Sequence, residues 1–113
     1  MITSNNIETR RKATAERAVL LCPRCGNCAI HHNDLEVFDR KKGEDMTMST
    51  VVDRRSVNVR SIPSSGTQNP SELDDALSIN FWCDDCGDGI ALHISHIESQ
   101  TEIFWTFVAK AVD

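Results

Sequence analysis

Cys22-Pro23-Arg24-Cys25-Gly26 and Cys83-Asp84-Asp85-Cys86-Gly87 are the residues in this chain best suited to chemistry. Each is a C-x-x-C followed at once by glycine. Two intervening residues let both sulfurs of a pair face one centre across a tight turn. A tetrahedral ion needs four such ligands, with zinc–sulfur distances of about 2.3 Å, so one pair supplies one edge of the tetrahedron and the second pair completes it. Gly26 and Gly87 stand where the backbone of such a turn needs positive φ, a conformation glycine adopts without steric cost. Pro23 pre-sets φ at the first turn position. The turn can also aim backbone N–H groups at the thiolates. The spacing therefore predicts one structural zinc held by Cys22, Cys25, Cys83 and Cys86. Iron is the less favoured occupant, since it shares the four-sulfur tetrahedron.

Other uses of these cysteines fit less well. A redox C-x-x-C sits between a strand and a helix, and neither pair is followed by a helical pattern. Disulfides leave one of the five cysteines over, and no signal-peptide pattern opens the chain to route it to an oxidising compartment. The fifth cysteine, Cys28, extends the first pair to a C-x-x-C-x-x-C, the beginning of an iron–sulfur run. Ala29-Ile30-His31-His32 follow where a fourth cysteine belongs. Cys28 is thus read as a buried small residue or a spare thiol. His31, His32, His93 and His96 are read as surface or hydrogen-bonded side chains, because the four cysteines already fill the site. In an extended segment His93 and His96 also point to opposite faces.

No catalytic arrangement accompanies the cysteines. The chain has no glycine-rich phosphate loop, no H-E-x-x-H and no H-x-E…P-C-x-x-C deaminase pattern. A four-thiolate zinc has no open coordination position and is a poor Lewis acid. The expectation is a protein that is not an enzyme and has no small-molecule substrate.

The elements that must position the knuckles follow from patterning. The 113 residues suggest one domain with a modest core, at 40% hydrophobic and 5% aromatic content. A domain of this size gains from a metal staple. Residues 1–17 read as a short helix or an arm. Ser4, Asn5 and Asn6 can cap a helix, and Glu8 with Lys12 forms a favourable i,i+4 pair, though the apolar pattern is thin. Residues 18–113 read as a single zinc-ribbon-like domain, with 27–76 inserted between the knuckles. Ala18–Leu21 is a strand entering the first knuckle. Asp34–Asp39 alternates apolar and acidic residues as a half-buried strand does. Arg40–Asp45 is a turn, Met46–Val52 the return strand, Ser56–Arg60 an extension of the sheet, and Ser61–Ser71 a loop. Leu77–Trp82 enters the second knuckle and Gly89–Ile94 leaves it, with Ile90, Leu92 and Ile94 on one face. Glu98–Thr101 is a turn before the last strand, Glu102–Val108. Adjacent aromatics such as Phe81 and Trp82 place one ring on each face, so one of each pair belongs to the core. The expected fold is mostly β: an antiparallel sheet of the zinc-ribbon kind with a long hairpin insertion and a short N-terminal helix or arm.

The two knuckles resemble those of rubredoxin-like zinc ribbons, and the likeness extends over the strands that follow the second knuckle. The insertion Asn27–Trp82 is longer than in compact ribbons. Leu77–Trp105, with His31-His32 and Leu35–Arg40, also looks like small uncharacterised bacterial and bacteriophage zinc-ribbon proteins. That resemblance implies an accessory protein acting on host machinery, and it supplies no catalytic residues.

Charge separates the candidate partners. Residues 1–60 hold eleven of the twelve Lys and Arg against eight acids, whereas residues 61–113 hold Lys110 against nine acids, within a net charge of −5. Asp84, Asp85 and Asp88 surround the second knuckle. Nucleic-acid affinity comes mainly from cations on phosphates, and an acidic knuckle repels phosphate. The favoured reading is a non-catalytic protein-interaction module that meets a basic partner through its acidic surface. The alternative is a nucleic-acid-binding ribbon using Arg10, Arg11, Lys12, Arg54, Arg55 and Arg60. No run of 18 apolar residues crosses a membrane. Reduced thiols without a signal peptide place the chain in the cytoplasm.

Overall fold

The structure, a computed structural model, describes residues 1–11 and 16–109. Nine strands form two antiparallel sheets: β1 Ile2–Ser4, β2 Thr9–Arg11, β3 Ala18–Leu20, β4 Ile30–Asp39, β5 Met46–Asp53, β6 Ser56–Pro63, β7 Ala76–Cys83, β8 Gly87–Ile97 and β9 Gln100–Phe107. The large sheet runs β1-β9-β8-β7-β4-β5-β6, and β2 pairs with β3 in a separate two-stranded sheet. Among the described residues there is no helix, and hence none long and apolar enough to cross a membrane.

The N-terminal helix is therefore corrected over the described residues. Ile2–Ser4 adds to the edge of β9, with Ile2 opposite Phe107, and Thr9–Arg11 pairs with Ala18–Leu20. The physical reason is the thin apolar stripe noted above. A helix through Ile7 and three alanines buries little, whereas pairing lets Ile7 and Leu20 pack against the main core. The Glu8–Lys12 pair cannot be placed, because Lys12 lies outside the described residues. A second correction concerns Ser61–Pro63, which continue β6 rather than opening the loop. Pro63 is tolerated there because it ends an edge strand, where a missing N–H breaks little of the ladder.

Register determines which side chains share a face. Directly opposed residues in an antiparallel sheet point the same way. One such row crosses all seven strands: Ser4, Trp105, Leu92, Ile79, Leu35, Val52 and Val57. At its β9–β8 end this face carries the core. Trp105, Ile90, Leu92, Cys22 and Cys83 are buried together, with Ile7, Leu20, Ile30, Phe81 and Phe107 packed around them. The two-stranded sheet and the first knuckle supply the cover. The opposite face buries Phe38, Thr47, Ser49, Ala76 and Ser95. Segment 64–75 is tied to that side by Thr47 Oγ1 to Ser64 Oγ (2.8 Å) and by Ser71 Oγ donating to the His96 carbonyl (2.6 Å).

Candidate metal centre

The first knuckle follows β3, and the second is the turn between β7 and β8. The chain between them, β4–β6, leaves and returns so that β7 lies beside β4. Leu21 N–H donates to the Glu8 carbonyl at 3.1 Å, fastening the entry of the first knuckle to β2. Within that knuckle Cys22 N–H donates to Asn27 O (2.8 Å) and Gly26 N–H to Cys22 O (2.9 Å). Gly26 and Gly87 have φ of 77° and 82°. A Cβ at either would meet nothing within 4 Å, so the demand for glycine is conformational and not one of space.

These turns bring four sulfurs together. The Sγ atoms of Cys22, Cys25, Cys83 and Cys86 all lie within 4.8 Å of one another. Cys22 Sγ is 3.5 Å from Cys86 Sγ, and Cys25 Sγ is 3.5 Å from Cys83 Sγ. A tetrahedral ion with sulfur at about 2.3 Å separates its ligands by about 3.8 Å, so the cluster matches a single four-coordinate ion. Cys22 and Cys83 are 2% and 1% exposed, and Cys25 is at the surface. Among the described residues no other group of three or more His, Cys, Asp or Glu side chains converges in this way. Cys28 is exposed and outside the cluster, which corrects its reading as a buried residue and leaves that of a spare thiol.

The thiols differ in acidity. Cys83 is lowered to about 7: burial pushes it up, but the N–H groups of Asp85 and Cys86 and the thiols of Cys25 and Cys86 outweigh that effect. Burial raises Cys22 against the N–H groups of Arg24 and Cys25, and raises Cys86 with help from the Cys22 and Cys83 thiols. Cys83 is thus the ligand readiest to ionise, and a bound cation would displace the remaining protons.

Arg24, a spacer residue of the first pair, clamps the second knuckle. Its Nη2 donates to the carbonyls of Cys86 (3.0 Å), Gly87 (3.2 Å) and Asp88, and Nη1 donates to Val108 O at 3.2 Å. Asn27 Nδ2 donates to the Asp85 carboxylate, and Asp84 N–H donates to Ala29 O at 3.0 Å. The two knuckles are therefore joined by protein contacts as well as by their shared sulfur cluster. Sequence reasoning missed the Arg24 clamp. The signal was a cation inside a C-x-x-C whose partner knuckle offers only acids and bare carbonyls.

No histidine joins the four-sulfur cluster. His93 receives or donates at both ring nitrogens, to Ser78 Oγ (2.8 Å) and Thr106 Oγ1 (2.7 Å). Burial lowers its pKa. His31 is exposed, lies 3.1 Å from Asp84 and stacks on Trp82 with centroids 4.3 Å apart. His32 and His96 are exposed. Phe81 turns inward and meets Trp105 edge-on, whereas Trp82 is 40% exposed.

The basic residues fall into two groups. Arg10 and Arg11 lie on β2 in the small sheet. Arg54 and Arg55 form the β5–β6 turn and Arg60 lies on β6, at the far edge of the large sheet. Lys12 is outside the described residues. Comparison with protein-family models, with curated proteins and with solved structures returned no match.

Proposed function

We propose that this chain is a non-catalytic binding module of the zinc-ribbon type, stapled by one structural zinc on Cys22, Cys25, Cys83 and Cys86. The convergence of four cysteine sulfurs around one point carries this reading. A four-thiolate set favours zinc, or iron in second place, and it saturates the ion, so no position remains for a substrate or a water nucleophile. The module is an accessory protein of the cytoplasm, of the kind its knuckle resemblance implies for bacteria and their phages, and it works through a protein partner.

The partner surface is the second knuckle. Trp82 is half-exposed beside His31, and Asp84, Asp85 and Asp88 are all exposed around it. Carboxylates attract a basic segment, and an exposed indole adds a cation–π contact of about 0.5–1 kcal/mol. Trp105 is fully buried, so a surface event is read mainly through Trp82. Titrating the zinc-loaded protein with a lysine- and arginine-rich peptide should quench the Trp82 emission in a salt-sensitive way, while mixed-sequence duplex DNA leaves it unchanged. DNA binding that disappears when Arg54, Arg55 and Arg60 are changed to Gln would establish the nucleic-acid alternative instead.

A further inference from the structure

The face that holds the core near the metal continues across β4, β5 and β6 with no cover among the described residues. A second register row, beside the one through Trp105, runs Ile103, Ile94, Leu77, Val37, Thr50 and Val59. Neither row contains a charged residue. Large side chains on this face stand in the open: Val57 is 64% and Val59 59% exposed, and Val37, Met46, Met48 and Ile103 are between 39% and 49%. Alternating strands normally turn such residues toward a second layer. Here segment 64–75 lies on the other side of the sheet.

We propose that this apolar face packs against the same face of a second copy of the chain, giving a two-fold, face-to-face sandwich of two seven-stranded sheets. Three observations favour a second copy over a different protein. First, the two rows are uncharged while the chain carries net −5, so a two-fold contact centred on them keeps like charges out of its middle; Asp39, opposite Met48 on the same side, stands in the neighbouring row at the rim. Second, an isologous contact requires a self-complementary surface, and a field of Val, Leu and Ile interrupted only by Thr50 in the two rows over β8–β6 is one. Third, the area suffices. The second row stays open as far as Ile103 on β9, 45% exposed; counted from β8 to β6, five strands at about 4.8 Å and six residues at about 3.3 Å give a face of about 24 by 20 Å, on the order of 500 Å² per copy. Two copies reach about 1,000 Å², the lower bound for a specific interface. Aligned packing of twisted sheets about 10 Å apart is the geometry such faces adopt. This inference does not depend on the zinc or on the acidic knuckle as a partner site.

Sedimentation equilibrium of the full zinc-loaded chain tests it. Wild type should dimerise. Met48→Lys, on the inner strand β5, and Val59→Lys, on β6, should each raise the dimer dissociation constant at least tenfold, with zinc content and far-ultraviolet circular dichroism unchanged. Arg60→Glu, on the opposite face, should shift it less than twofold. A wild type that stays monomeric at every concentration would overturn the proposal. A Met48→Lys dimer as tight as wild type would also overturn it, because contact through the β6 edge or the other face does not involve Met48.

Discussion

A single row of opposed side chains connects two unlike ends of the sheet. At β9, Trp105 is completely buried; five strands away, on β6, Val57 is 64% exposed. The side chains along the row are nearly all apolar, so composition does not cause the difference. What differs is the cover. Near the four cysteines, Ile7, Leu20 and the first knuckle lie over the row. Over β4–β6 no described residue does so. The end beside the four cysteines carries a short second layer, and an ion held by those cysteines would fix a turn that has too little apolar surface to fix itself. The insertion end is a regular hairpin sheet in want of a second layer. In our account one end is completed by an ion and the other by a second chain.

The sharpest way to break this comparison is to remove the metal. Cys83→Ser, or a strong chelator, should melt the β2–β3 cover and expose Trp105, seen as a red shift of its emission and loss of cooperative unfolding. Retention of a buried Trp105 without metal would show that protein contacts alone hold that end. Trp105→Ala should cost about 3–5 kcal/mol in denaturant unfolding of the metal-loaded protein. Val59→Thr on β6, measured at concentrations where the chain is monomeric, should stay within about 0.5 kcal/mol, as surface substitutions do. Equal costs at the two positions would erase the distinction. Arg24→Ala leaves several carbonyls of the second knuckle without their donor and should cost about 1–3 kcal/mol, with zinc leaving faster to a competing chelator. Arg24→Lys should restore only part of this, since one ammonium cannot reproduce the fork. A gain rather than a loss is expected in the β8–β9 turn. Glu98 and Ser99 both have positive φ, 48° and 66°, in a two-residue loop that favours Asn-Gly. The double change Glu98→Asn, Ser99→Gly should stabilise the protein by about 1 kcal/mol, read as a raised Tm.

Much of this was legible from residue order. The knuckles declare themselves by spacing, and Gly26 and Gly87 take the positive φ that such turns require. The strands flanking the second knuckle follow from Ile90, Leu92 and Ile94, whose alternation puts them on the core face. Phe81 turns in and Trp82 out, as adjacent residues on a strand must. The N-terminus was not legible, because Ile2–Ser4 and Thr9–Arg11 are three-residue strands that exist only through partners distant in sequence, and local capping signals such as Ser4 and Asn5 point the other way. The Arg24 clamp was hidden for a related reason. Its carbonyl partners lie on residues 86–88 and 108, and a carbonyl leaves no mark in a sequence. The open face was hidden too, since alternation reveals which side chains share a face and says nothing of what lies over it.

Native mass spectrometry of the protein purified without added metal tests the central claim most directly. The account predicts one zinc per polypeptide, retained by wild type and by Cys28→Ser and lost from Cys83→Ser. Iron in its place, metal-free folded protein, or zinc lost equally from Cys28→Ser would contradict it.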